Sequence, residues 1–196
     1  MLAGTRMTAE QFDALPEEEG RKWELLDGEL IEVSSATPRH NRILMRLSRL
    51  LDEFAEARQL GAVLPETDLA VRANTRLRPH FGFVSAEIWR TVDLNRVPVV
   101  QTPDIAVEII SLSETVTTIH RKIDAYLKWG VQEVWLIDPD VRTMFVHTRR
   151  CTTIERRRIS HFQFCPGMAA SGRRSVRKPL TRPRRVSRRS LTVTVR

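Results

Sequence analysis

The chain is 196 residues long, 41% hydrophobic and formally +8 at neutral pH, which allows one cored domain with an appendage. It contains no run of eighteen apolar residues, and its start, MLAGTRMTAEQF, lacks an apolar signal region, so a membrane helix is excluded and a soluble cytoplasmic protein is expected. The charge is unevenly divided: residues 1–148 hold 17 basic against 23 acidic side chains, and residues 149–196 hold 15 against 1. Cys151 and Cys165, with no CxxC spacing and no His pair nearby, support neither a zinc site nor a disulfide.

In chain order, Pro38 to Leu60 reads as an amphipathic helix with Ile43, Leu47, Leu50, Leu51 and Phe54 on one face, a core stripe. His40 at its start fits a helix-terminal hydrogen bond or a catalytic role. Arg39, Arg42, Arg46 and Arg49 lie near the other face, either solvated or set against a nucleic-acid backbone. Val63 to Val71 and Leu77 to Val84 read as strands, with TRLRP as the turn between them. Trp89 to Gln101 reads as an irregular loop. IAVEII, Ile105 to Ile110, is a β-branched apolar run bounded by Pro103 and by Ser111 and Ser113, as a buried strand should be. From Ser113, a candidate N-cap, to Trp129 the spacing of Val116, Ile119, Ile123, Tyr126 and Leu127 predicts a helix stopped by Gly130. VWLIDP then returns as a second buried strand, a crossover between parallel or nearly parallel strands.

Glu108 interrupts the first of these strands. A carboxylate inside a buried strand costs several kcal/mol unless it is paired or binds a metal. Both explanations are open, a neighbouring Lys or Arg or a functional site. Asp104 shares a strand face with Glu108, so both are expected to reach one point in space. Lys122, beside Ile119 and Ile123, sits at the rim of the packed helix face, as a solvated lysine or as the site's positive charge. Two carboxylates and a lysine are the parts of a metal-dependent phosphodiesterase site.

The order PD, then Glu108, then a helix with Lys122, Tyr126, Gly130 and Val131, then Glu133, Trp135 and Asp138 resembles the Uma-type restriction endonucleases of the PD-(D/E)XK nuclease superfamily. The opening, with an acidic pre-helix, a WELLDGEL hairpin and a P-x-H-N helix start, is similar as well. The resemblance spans about residues 7 to 148. It implies an α/β restriction-endonuclease-like domain, a mixed β-sheet core flanked by helices, over 7–148, acting as a DNA endonuclease with Mg²⁺ or Mn²⁺ as cofactor. The partner implied is DNA, with a homodimer where both strands are cut. The alternative is an inactive nuclease fold that binds nucleic acid or protein.

Under the resemblance the catalytic residues are Glu108, Lys122 and Glu24, and the metal ligands are Glu108, Asp104 and His80. The common motif has its lysine two residues after the Glu. Ile110 stands there, and Lys122 is the matching position on the next helix. His80 takes the place of the first metal-binding Asp in the stretch Arg78-Pro79-His80-Phe81-Gly82-Phe83-Val84. A neutral imidazole brings no negative charge and is a poor ligand for Mg²⁺. Three outcomes follow: a weakened or inactive site, a site rescued by Asp104 and Glu24, or a preference for Mn²⁺ or Zn²⁺. Strands are expected to stop near Thr148. The region 149–196 reads either as a basic disordered tail able to hold phosphates or as text from a shifted reading frame.

Overall fold

The computed structural model describes residues 6–16, 20–111, 114–149 and 151–158, the last segment as backbone. Among the described residues ten strands and four helices run α1 (Ala9–Asp13), β1 (Lys22–Leu26), β2 (Glu29–Val33), α2 (Pro38–Glu56), β3 (Gly61–Pro65), β4 (Leu69–Arg72) and β5 (Thr75–Leu77). They continue as β6 (Phe81–Ser85), α3 (Ala86–Trp89), β7 (Ile105–Ile109), α4 (Val116–Trp129), β8 (Glu133–Asp138), β9 (Thr143–Thr148) and β10 (Cys151–Arg158). A six-stranded sheet has the order β10-β9-β8-β7-β6-β3, and a four-stranded sheet the order β2-β1-β5-β4. Within the larger sheet only β7 and β8 are parallel, in register Glu108 to Leu136, and α4 is the crossover between them. Among the described residues no helix is long and apolar enough to cross a membrane.

Strand alternation decides what each face of the larger sheet meets. Ile105, Val107 and Ile109 of β7, with Trp135 and Ile137 of β8, pack with Leu44, Leu51 and Ala55 of α2. Ala106, Val134 and Leu136 face the other way, onto Ile119, Ile123 and Tyr126 of α4 and Leu26, Leu69 and Leu77 of the smaller sheet. Glu108 is in phase with Ala106. It therefore points into the layer between β7, α4 and the smaller sheet.

Several boundaries differ from the sequence reading. Helix α2 ends at Glu56 because Gln59 turns left-handed, with φ 53°, and Leu60 N–H closes onto Ala55 O at 2.9 Å. Gly61 then lies so close to β6 that a Cβ there would stand 1.9 Å from Val84 O. The strand read as Val63 to Val71 is two strands in different sheets, separated at Glu66, whose φ is 41°. Thr75–Leu77, expected to be turn, is a strand with Thr75 and Leu77 buried. Helix α4 is capped by Thr115, whose side chain accepts from Thr118 N–H at 3.1 Å, while Ser113 lies outside the described residues. Strand β10 extends the sheet past Thr148, pairing with β9 around a bulge between Cys151 and Glu155. The remainder of the basic tail, 159–196, lies outside the described residues.

Candidate active site

Glu108, Lys122 and Glu24 meet between β7, α4 and β1. All three are buried, with exposures of 4%, 6% and 2%. Lys122 is thus an internal cation and not a rim lysine. Its Nζ lies 2.7 Å from Glu24 Oε2, 3.1 Å from Glu114 Oε1 and 4.0 Å from Glu108 Oε1. Tyr126, one helical turn on and fully buried, presents its hydroxyl on the same face and donates to Glu108 Oε1 at 2.9 Å. Glu24 Oε1 accepts from the Arg78 backbone N–H at 2.7 Å. Oε2 of Glu24 has the ammonium contact but no donor in hydrogen-bond geometry among the described residues.

His80 joins the cluster from the segment between β5 and β6. Its Nδ1 lies 2.8 Å from Glu108 Oε2 and 3.2 Å from the Ile109 N–H. One nitrogen cannot serve both as donor to a carboxylate and as acceptor from an amide. The shorter, charge-assisted contact assigns the proton to Nδ1, directed at Glu108. Its backbone is fixed by bonds from its N–H to Val107 O and from Glu66 N–H to its O, each 3.0 Å. His40 stacks against the His80 ring with centroids 4.5 Å apart and planes tilted by 48°, while its own N–H donates to the Thr37 hydroxyl at 3.2 Å. The helix-terminal hydrogen bond is thus present, with Thr37 as the cap of α2, and the His40 ring rests against His80.

Asp104 is not brought to this point. Its Oδ2 accepts from Ser85 N–H at 2.7 Å and its Oδ1 from Gln132 Nε2 at 2.9 Å, fastening the start of α3 to the β7–β8 end of the sheet. Shared strand phase gave it the right face, but four residues of strand separate it from Glu108 by about 13 Å. Of the arginines on α2, Arg39 bonds Asp140 at 2.8 Å and also the Pro139 carbonyl, and Arg49 bonds Glu53 at 2.7 Å.

The charges explain the titration of the cluster. Burial would raise the Glu108 carboxyl, but the Lys122 ammonium and the His80 bond hold it below the ordinary value. Burial does raise Glu24, against the pull of Lys122. Lys122 is raised too: burial opposes its charge, and the carboxylates of Glu108, Glu24 and Glu114 outweigh that cost. Burial and the nearby carboxylates lift Tyr126 well above its usual range, so it stays a donor. Tyr126 and Glu114 were not picked out as site residues from the sequence. The four-residue spacing from Lys122 to Tyr126 was a usable signal, whereas nothing marked Glu114.

A divalent ion held by oxygen donors does not fit this cluster as it stands. Glu108 Oε2 faces His80, its Oε1 faces Tyr126, and Glu24 is occupied by Lys122 and Arg78. Where an acid would complete the set, His80 offers nitrogen, which suits Mg²⁺ poorly. Among the described residues no three His, Cys, Asp or Glu side chains are arranged to hold a metal.

The Uma2 family model, described as "Putative restriction endonuclease", matches residues 9–167. Among solved structures, a putative nuclease belonging to DUF820 from Anabaena variabilis superposes with a TM-score of 0.69 at 21% identity, covering 83% of this chain and 91% of that one. A DrdV–DNA complex matches with a TM-score of 0.40 at 14% identity over 59% of this chain and 10% of that one, too slight to carry an argument. No curated protein matches. The fold is restriction-endonuclease-like, as the resemblance implied, with the smaller sheet as an addition to the flanking helices. With most of its length matched, the chain belongs to the Uma2 family of restriction-endonuclease-like proteins.

Proposed function

We propose that the chain is a DNA endonuclease of the PD-(D/E)XK type, hydrolysing phosphodiester bonds at Glu108, Lys122 and Glu24, and that His80 leaves its activity attenuated. The observation that carries this reading is Lys122, a buried ammonium among three carboxylates that a core has no structural need to contain. Phosphodiester hydrolysis requires positive charge beside the phosphoryl oxygens and an acceptor directed at the attacking water. Lys122 supplies the charge, Glu24 orients it, and Tyr126 fixes the carboxylate of Glu108. Water adds to phosphorus while one P–O ester bond breaks, leaving a phosphomonoester and an alcohol. His80 engages the Glu108 oxygen that such a site needs open.

In a nicking assay on supercoiled plasmid with Mn²⁺, the wild type is expected to cleave little or not at all, His80→Asp to cleave, and Glu108→Ala or Lys122→Ala added to His80→Asp to abolish that cleavage. Nicking that survives both alanine changes contradicts the assignment. The His80–Glu108 bond also favours a second reading, an inactive nuclease fold that binds nucleic acid. Salt-sensitive DNA binding with no cleavage by either the wild type or folded His80→Asp would select it.

A further inference from the structure

We infer that the His80 imidazole fills the place beside Glu108 that a divalent ion would occupy, so that this chain satisfies its buried carboxylate with its own side chains and retains no Mg²⁺ or Mn²⁺ there. The inference rests on the nuclease reading only for which ion is at issue.

A buried carboxylate needs partners on both oxygens, and Glu108 has them: Tyr126 OH on Oε1 at 2.9 Å and His80 Nδ1 on Oε2 at 2.8 Å. His80 cannot swing aside cheaply. Its backbone is bonded on both sides, to Val107 and to Glu66, and its ring is packed against His40. An ion entering at Oε2 must therefore break a charge-assisted bond and displace the ring from its contact with His40. It gains no acid in return, since Glu24 is held by Lys122 and Arg78 N–H, and Asp104 is bonded to Ser85 and Gln132. In an oxygen-ligated site the ion neutralises the acids. Here hydrogen bonds from Tyr126 and His80 satisfy the carboxylate.

Mn²⁺ binding, read by loss of the free-ion EPR signal and by the shift in melting temperature, tests this on the full chain. Wild type and Glu108→Gln should leave the same free Mn²⁺ and melt at an unchanged temperature when it is added. His80→Asp should bind one ion at least about tenfold more tightly than wild type and melt higher with Mn²⁺, a gain lost in His80→Asp/Glu108→Gln. Wild-type Mn²⁺ binding that Glu108→Gln removes overturns the inference. If His80→Asp does not fold, the wild type against Glu108→Gln still decides: equal free Mn²⁺ upholds the inference and a difference overturns it. His80→Asp that binds Mn²⁺ yet leaves plasmid intact upholds this inference and sinks the nuclease reading.

Discussion

Lys122 Nζ lies 2.7 Å from Glu24 Oε2, an ion pair that joins the crossover helix to the first strand of the smaller sheet and is buried on both sides. Replacing Lys122 with Met keeps volume but leaves Glu24 and Glu108 without their cation. Breaking a buried pair in this way costs about 3–5 kcal/mol. Urea denaturation should show that loss for Lys122→Met and a smaller one for Lys122→Met/Glu24→Gln. A loss in the double variant equal to the sum of those in Lys122→Met and Glu24→Gln would mean that the two residues are not coupled.

Tyr126→Phe removes one hydroxyl and leaves the ring in the core. Glu108 Oε1 then loses its donor, for a cost of about 1.5–3 kcal/mol, as for a hydrogen bond to a charged group. Thermal melts at neutral pH check this, and the change should shrink in a Glu108→Gln background, where the acceptor is neutral.

The pH dependence of stability follows from the shifts. Glu108 is lowered on folding, so its contribution is present above the ordinary carboxylate range and is lost as pH falls through and below it. Glu24 is raised and runs the other way, favouring the folded state in acid and losing that contribution as pH rises. Glu108→Gln should therefore flatten the acid limb of a stability-against-pH curve, and Glu24→Gln should steepen it. The opposite pattern would reverse their assigned roles.

Gly61→Ala tests the fold away from the site. The new Cβ would meet Val84 O at 1.9 Å in a backbone with φ +150°, where strain of about 1–3 kcal/mol is usual before any clash is counted. A melting temperature equal to the wild type would show that β3 and β6 can separate freely.

The β7–α4–β8 unit was legible because its signals are local: continuous apolar runs in IAVEI and VWLID, three- and four-residue spacing in between. Glu108 stood out for the same reason, a carboxylate where the pattern demanded an apolar residue. Its surroundings were not legible in that way. Glu24 reaches it only because the smaller sheet folds over β7, a non-local event that no window of sequence contains, and it was identified through resemblance alone. Asp104 was misplaced by using strand phase without strand rise. His80 was recognised as a departure, but its bond to Glu108 depends on how β5 leads into β6, and its contact with His40 on how α2 crosses the sheet. The split at Glu66 needed a left-handed residue that sequence does not announce, and TRL read as turn because arginine and proline outweighed its alternating burial.

The most direct measurement is the rate of supercoiled-plasmid nicking with Mn²⁺ by His80→Asp beside His80→Asp/Glu108→Gln, both verified as folded by circular dichroism. A nuclease centre at Glu108 predicts cleavage by the first and a fall of at least about 100-fold in the second, the scale set by losing one preorganised catalytic group. Equal rates in the two proteins, or no cleavage by folded His80→Asp, would contradict it.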